Sequence, residues 1–359
     1  MNPAAKAPSS TASAAANGFA RLIFRTRTGM PARRNKAWVN SGLGSPPIGP
    51  LAIAQQLPRE FLTRKRTFAS VNRGKAGRYL LRLRVLRKSS RRENPLANAI
   101  ITLTTDYGTN DHLVGTLKGV ILKINPEVTI VDITHNVTAF DLLDGALAIG
   151  SAYSYFPPKT IHVVVVDPGV GTERRPLLVS AQNQYFVAPD NGVLSVIYER
   201  EKESLVVRHA NVEHYYLHPV SKTFHGRDIF ASVASWLSKG WQTPSMGDEI
   251  SDYKKFSIPR PKEADGAIKG AVLRTDIFGN LITNFRAEDL PESAMSDGTI
   301  KLQVGTHEIT RLVDTFARGN NGEPIAYMGS SGYLEIGVNK ANAAKTLGLG
   351  RGTPVILNK

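Results

Sequence analysis

Ile161-His-Val-Val-Val-Val166, running straight into Asp167-Pro-Gly-Val-Gly171-Thr-Glu-Arg174-Arg175, is the stretch that decides the fold. A continuous β-branched run is what a strand buried on both faces requires, because neither face can turn polar. Such strands lie in sheets covered by helices, and they need crossover connections. The flanks supply both. Residues 99–104 and 128–133 are further short apolar runs that read as strands. Between them, Leu113, Leu117, Val120, Ile121 and Ile124 fall on one helical stripe and predict a helix over 111–124. Leu143, Ala146, Leu147 and Gly150 share a face and predict a second helix over 140–155. The β-α-β-α-β order implies right-handed crossovers and an α/β fold with a mostly parallel N-terminal sheet and flanking helices.

Downstream, residues 177–180 and 185–187 read as shorter strands, and Asp190-Asn-Gly192 as a turn before a short helix. Ile229, Val233 and Trp236 predict a helix over 228–236. Ile258-Pro-Arg-Pro-Lys262 is a stiff, extended linker. Beyond it the pattern changes to short β-like runs at 271–273, 281–285, 325–328, 333–336 and 355–357, which predict a smaller C-terminal β-barrel-like domain. The expected division is an α/β domain over 97–260 and a β domain over 261–359.

Charge separates residues 1–96 from both. The net charge of the 359-residue chain is +15, yet residues 1–96 hold 20 Lys and Arg against Glu60 and Glu93 alone. The remaining 25 bases and 28 acids leave the rest of the chain at −3. A nucleic-acid-binding core is therefore not indicated, since phosphate-neutralising charge would have to reside on the folded part. Residues 1–96 are poor in apolar side chains, and only 79–86 alternate; disorder is expected. An organelle-targeting peptide, a tail for anionic partners and a functionless extension from an early start codon all fit this composition. The absence of cysteine excludes disulfides, thiol nucleophiles and cysteine-bound zinc. No run approaches the roughly 18 apolar residues of a membrane span.

In open α/β sheets ligands bind beyond the carboxyl ends of the strands. Asp106 follows the first predicted strand, Asp132 and His135 the second, and Asp167 the third. Asp106 could accept a ribose diol through two hydrogen bonds, or simply shape a turn, and Asp111 could cap the next helix. Asp167 and Arg174 can meet across a turn, as a site or as a structural ion pair. The glycines between them do not continue to a third and make no dinucleotide fingerprint. His225, in Phe224-His225-Gly226-Arg227-Asp228, can orient or deprotonate water, or be structural. In Asp276-Ile-Phe278-Gly-Asn280, the Asn can read an adenine edge and the Phe can stack on its ring, or the segment is only a turn. Asp132 with His135, or His225 with Asp228, could ligate a divalent ion, but the helical His spacing of zinc hydrolases is missing.

Taken in order, Thr104-Thr-Asp106-Tyr-Gly108, Val131-Asp132-Ile-Thr-His135, the Asp167–Arg174 segment, the Phe224–Asp228 segment and Asp276-Ile-Phe-Gly-Asn280 resemble the S-adenosyl-L-methionine (SAM) hydroxide adenosyltransferase family. This is the hydrolytic branch of a group that includes fluorinase and chlorinase enzymes. Ser331-Gly-Tyr-Leu-Glu-Ile-Gly-Val-Asn339-Lys-Ala341-Asn342-Ala also fits, so the resemblance covers residues 97–359. It implies hydrolysis of SAM to adenosine and L-methionine, without cofactor or metal. It further implies a homotrimer with sites between the α/β domain of one subunit and the β domain of its neighbour. An Asp-Arg-His triad around the attacking water would be Asp167, Arg174 and His225, with Arg175 the alternative register. Asp106 would hold the ribose, Phe140 would cover the nucleoside, and Asp276 and Ser331 would hold the methionine end, assisted by Asp111. Phe278, Asn280 and the Ala341 backbone would contact adenine. The halogenases lack the triad, so water fits better than halide; a SAM-dependent halogenase and a non-catalytic SAM- or adenosine-binding module are the competing functions. The core is expected to bind neither nucleic acid nor membrane, and the protein to be cytoplasmic, or organellar if residues 1–96 are a transit peptide.

Overall fold

The computed structural model describes residues 99–358, so the disorder expected of 1–96 and the alternating stretch at 79–86 lie outside the described residues. β1 (Ile100–Thr105), α1 (Leu113–Ile124), β2 (Thr129–Thr134), α2 (Leu142–Ala152) and β3 (Ile161–Val165) follow in the predicted alternation. β4 (Pro176–Ala181) and β5 (Gln184–Pro189) form a hairpin, followed by α3 (Ser195–Arg200), β6 (Val206–His209), α4 (Ser232–Ser238) and β7 (Asp248–Glu249). The sheet order is β2-β1-β3-β5-β4-β6-β7. β2, β1, β3 and β5 run parallel, and β4, β6 and β7 extend the sheet antiparallel.

The central run explains the layers. Successive side chains of a strand point to opposite faces. Ile161, Val163 and Val165 enter one core with Ile101, Leu103, the α1 stripe Leu117, Val120 and Ile121, and Phe230 and Val233. Val164 and Val166 enter the other with Leu177, Val179, Phe186, Ile149 and Ile197. His162, which interrupts the run, is buried and fully partnered. Its Nδ1 lies 2.7 Å from Thr102 Oγ1 and its Nε2 3.0 Å from Gln184 Oε1. A carbonyl oxygen only accepts, so Nε2 carries the proton and Nδ1 accepts from the threonine. Helix α2 begins two residues later than periodicity predicts. Phe140 has a φ of +65°, which no right-handed helix admits, and Asp141 caps the helix by accepting from Leu143 N and Asp144 N.

The second sheet comprises β8 (Lys262–Ala264), β9 (Ala267–Thr275), β10 (Leu281–Thr283), β11 (Thr299–Val304), β12 (His307–Val313), β13 (Pro324–Met328), β14 (Leu334–Val338) and β15 (Pro354–Asn358); α5 (Glu292–Ser296) precedes β11, and α6 (Ala343–Leu347) precedes β15. Its order is β10-β14-β13-β12-β11-β15-β9, and β9 pairs back onto β10, closing a seven-stranded barrel with β8 on the edge of β9. Leu281, Phe285, Leu302, Leu334, Ile336 and Val355 fill it. Leu147 and Val196 of the first sheet's helices pack with Leu273 and Tyr333 of the barrel. Two ion pairs cross the same boundary: Arg351 meets Asp141, and Arg274 Nη1 lies 3.0 Å from Asp144 Oδ1. Among the described residues no helix is long and apolar enough to cross a membrane.

Candidate active site

Chain connections leave β1 toward β2 on one side, while β3 leads toward the β4–β5 hairpin on the other. The carboxyl ends of β1 and β3 therefore flank the point where strand order reverses, which is where open α/β sheets bind ligands. Asp106 and Asp167 occupy these two ends. Asp106 Oδ2 accepts from Phe140 N at 2.9 Å. Burial, and secondarily the nearby Asp167 charge, raise its pKa, opposed by the Phe140 hydrogen bond.

Arg174 lies across the turn from Asp167. Its Nε donates to Oδ1 at 2.9 Å and to Oδ2 at 3.0 Å, and its Nη2 donates to Oδ2 at 2.5 Å. The same Nη2 lies 2.7 Å from His225 Nδ1. Arg174 and Asp167 are 4% and 5% exposed, so this is a buried pair. Arg175 turns away to Asp190 and Asp252, so of the two arginines it is Arg174 that meets Asp167. A guanidinium has no acceptor, so His225 Nδ1 must accept, and the neutral imidazole carries its proton on Nε2. Burial, then the Arg174 charge, lower the His225 pKa against the pull of Asp167 and Asp228. Arg174 Nη1 is buried with no hydrogen-bond partner among the described residues.

Local structure brings these three side chains together. Gly171, at φ +79°, lies against the Lys222 carbonyl, where a Cβ would stand 2.2 Å from the oxygen. Its close approach is thus to the segment that carries His225. His225 immediately precedes a π-helical turn, Gly226–Ala231, that runs into α4. Asp228 in that turn accepts from Ser221 N and from Arg227 Nε, fixing the preceding loop. Asp132 and His135, like Asp228, brace their loops. Asp132 pairs with Lys118 and His135, and His135 Nδ1 lies 2.8 Å from Thr105 Oγ1 beneath the Asp106 loop. No group of three or more His, Asp or Glu suited to a metal occurs among the described residues.

The C-terminal candidates gather elsewhere. Asp276, Phe278, Asn280 and Ser331 line a cavity of about 550 Å³ between the barrel and Leu147 and Ser151 of α2, which none of Asp106, Asp167, Arg174 or His225 lines. Phe278 and Asn280 also face an adjoining cavity with Ala341, whose own N–H is spent on Val338 O. Asp276 Oδ1 accepts from Phe278 N and Asn280 N, and Oδ2 from Asn280 Nδ2, so this carboxylate builds its own turn. Phe140 and Phe278 are 72% and 74% exposed, two aromatic rings left uncovered among the described residues. Asp111 accepts from Leu113 N at the start of α1. The sequence reading missed Arg274, Tyr327 and Glu335, which line the barrel cavity. A charge inside the otherwise apolar Leu334-Glu-Ile-Gly-Val338 was the available signal for the last.

With this geometry in place, similarity to known proteins is informative. Residues 101–247 match the SAM hydroxide adenosyltransferase N-terminal domain, and residues 270–356 match the corresponding C-terminal domain. The chain belongs to the SAM hydroxide adenosyltransferase family. Within it, the (R)-S-adenosyl-L-methionine hydrolase of Methanocaldococcus jannaschii is 33% identical over 260 residues, 69% of this chain and 91% of that protein. A fluorinase from Actinoplanes is 30% identical over 295 residues, covering 73% and 98% respectively. The crystal structure of an uncharacterized conserved protein from Thermotoga maritima superposes with a TM-score of 0.67 at 35% identity, over 72% of this chain and all of that one.

Proposed function

We propose that this chain is a SAM hydrolase that converts SAM and water to adenosine and L-methionine. The observation that carries the reading is the buried Asp167–Arg174–His225 cluster at the strand-order reversal, in a chain one-third identical to proteins named for this hydrolysis. The leaving group is a neutral thioether, so it needs neither an acid to protonate it nor a metal to polarise it, and no cofactor is invoked. Catalysis must place one water in line with the C5′–S bond and take up its proton as the C5′–O bond forms. The C–S electron pair stays with sulfur.

The hydrogen bonds divide the labour. His225 has its Nδ1 engaged by Arg174, and its Nε2–H serves as a donor that orients the water. Asp167 keeps carboxylate lone pairs beyond those used by Arg174, and it is the proton acceptor of the three. Arg174 holds both in place and offers Nη1 as a further donor. Asp106 takes the ribose diol beside Phe140. Phe278, Asn280 and the Ala341 backbone contact adenine, Ser331 and the Asp276 turn border the methionine end, and Asp111 assists there.

The two residue groups line separate places on one chain, and Phe140 and Phe278 stand exposed in each. This supports a site completed between subunits, with a homotrimer as the assembly. The test is incubation of the full chain with SAM, with and without EDTA and chloride, with products identified by mass spectrometry. Adenosine plus methionine, insensitive to both additions, is expected. A 5′-chlorinated nucleoside would move the chain to the halogenases, and tight SAM binding without product would make it a binding module.

A further inference from the structure

We infer that His135 is a positioning residue for ribose recognition, aiming the Asp106 carboxylate through the Thr105 hydroxyl. This rests on the SAM-hydrolase reading, in which Asp106 takes the ribose diol, and it names what keeps that carboxylate selective for a diol. Asp106 has little hold of its own on its direction. Among the described residues its side chain receives one hydrogen bond from another residue, Phe140 N to Oδ2. The turn around it is gripped instead by His135, which is 4% exposed. The ring Nδ1 lies 2.8 Å from Thr105 Oγ1, and the carbonyl of the same histidine accepts from Gly108 N at 2.7 Å. Thr105 Oγ1 also accepts from Tyr107 N at 3.3 Å, so this hydroxyl spans Asp106 from one neighbour to the other. One histidine thus holds both ends of the turn Thr105–Gly108.

The strand register explains how His135 reaches this place. β1 and β2 pair Leu103 with Asp132 but Thr104 with Thr134, so Ile133 is an extra residue in β2. Along a regular strand, residues three apart point to opposite faces. A bulge shifts the alternation by one and brings Asp132 and His135 to the same side. Asp132 Oδ1 then stands 3.1 Å from His135 Nε2, near enough for charge attraction though not aligned as a hydrogen bond. A ring nitrogen facing a carboxylate carries the proton, so Nδ1 is the acceptor and the Thr105 hydroxyl donates to it. The oxygen of that hydroxyl keeps its lone pairs for Tyr107 N. Lys118 of α1 closes the outer end, with Nζ 2.6 Å from Asp132 Oδ2. The brace runs from the surface inward: the Lys118 and Asp132 side chains are 34% and 39% exposed, and Thr105 is fully buried. These contacts also account for the Asp132–His135 spacing without a metal.

Two nucleosides separate aiming from scaffolding: adenosine, and 2′,3′-dideoxyadenosine, which lacks only the diol. Dissociation constants are measured by calorimetry on the full chain. The wild type is expected to favour adenosine by about 10- to 100-fold, as for hydrogen bonds to a charged group. His135→Ala releases the turn and is expected to weaken adenosine by about 10-fold or more, leaving dideoxyadenosine unchanged. Thr105→Val keeps the shape of the side chain and deletes the hydroxyl. It is expected to show the same signature, and it decides the matter if His135→Ala does not fold. In an Asp106→Ala background the His135 change is expected to cost adenosine nothing further, because the two residues act as one unit. Equal losses for both nucleosides, or losses that add in the double variant, would reduce His135 to scaffold and overturn the inference. So would variants that kept the full preference for adenosine. A wild type that bound both nucleosides equally would instead remove the ribose role of Asp106, and with it the placement of SAM in this site.

Discussion

The Asp167–Arg174 pair allows its structural and chemical roles to be separated. Both side chains are about 5% exposed or less, and three hydrogen bonds join them. Removing one partner of such a pair strands the other charge and costs about 3–5 kcal/mol, whereas replacing both with apolar residues of similar volume is often neutral. Asp167→Leu and Arg174→Met should therefore each destabilise the fold by about 3–5 kcal/mol. The double variant should lie within about 1 kcal/mol of wild type, the residue being the bond that His225 Nδ1 loses. Urea unfolding supplies these values, read as midpoint changes at constant slope. SAM turnover, measured on the same samples, should remain depressed by about 100-fold or more in all three variants, because stability returns in the double variant and the acceptor does not. Single variants within 1 kcal/mol of wild type would refute the burial argument. A double variant that recovered turnover would refute the catalytic assignment.

Three further outcomes follow from the same geometry. Burial and Arg174 hold the His225 pKa below 6.5, so turnover should persist as pH falls through 6.5 and drop only below it; Arg174→Met should move that acid limb of the kcat/KM profile upward. His162, buried as the neutral form, has its pKa pushed down from 6.5 to about 4, so its contribution is complete above 6.5 and is lost as pH falls toward 4. Urea midpoints should report about 3 kcal/mol over that window, and His162→Gln should remove this component. Gly171→Ala forces a left-handed alanine onto the Lys222 carbonyl and should cost at least about 1–2 kcal/mol and lower turnover, whereas Gly169→Ala, whose Cβ would find nothing nearer than 3.5 Å, should do neither.

The α/β half was legible because its strands and helices have unmistakable periods. The Ile161–Val165 run could only be a strand covered on both faces, and the stripe from Leu113 could only be a helix. The β11–β12 hairpin was missed because it is half exposed: Ile300, Leu302 and Val304 point inward while Thr299 and Lys301 face solvent, so no apolar run announces it. Period-two alternation about Gly305 was the cue. The Asp167–Arg174 pairing was readable as a span across a turn. That Arg174 also takes His225 was implied only by the family resemblance and not by spacing, because 51 residues separate them and a π-helical turn sets the angle. Phe140 was read inside a helix because apolar spacing carries no information about a positive φ.

The ties between α2 and the barrel bear on how such proteins can be recombined. Asp141 and Asp144 are 10% and 8% exposed, and their counter-ions Arg351 and Arg274 come from the far side of the linker at Ile258. A hybrid spliced at that linker, with the barrel of one relative joined to the sheet of another, inherits two carboxylates whose partners were left behind unless the donor barrel carries arginine at both positions. The seam of modular exchange in this chain is therefore a charge-matching rule written on the first turn of one helix.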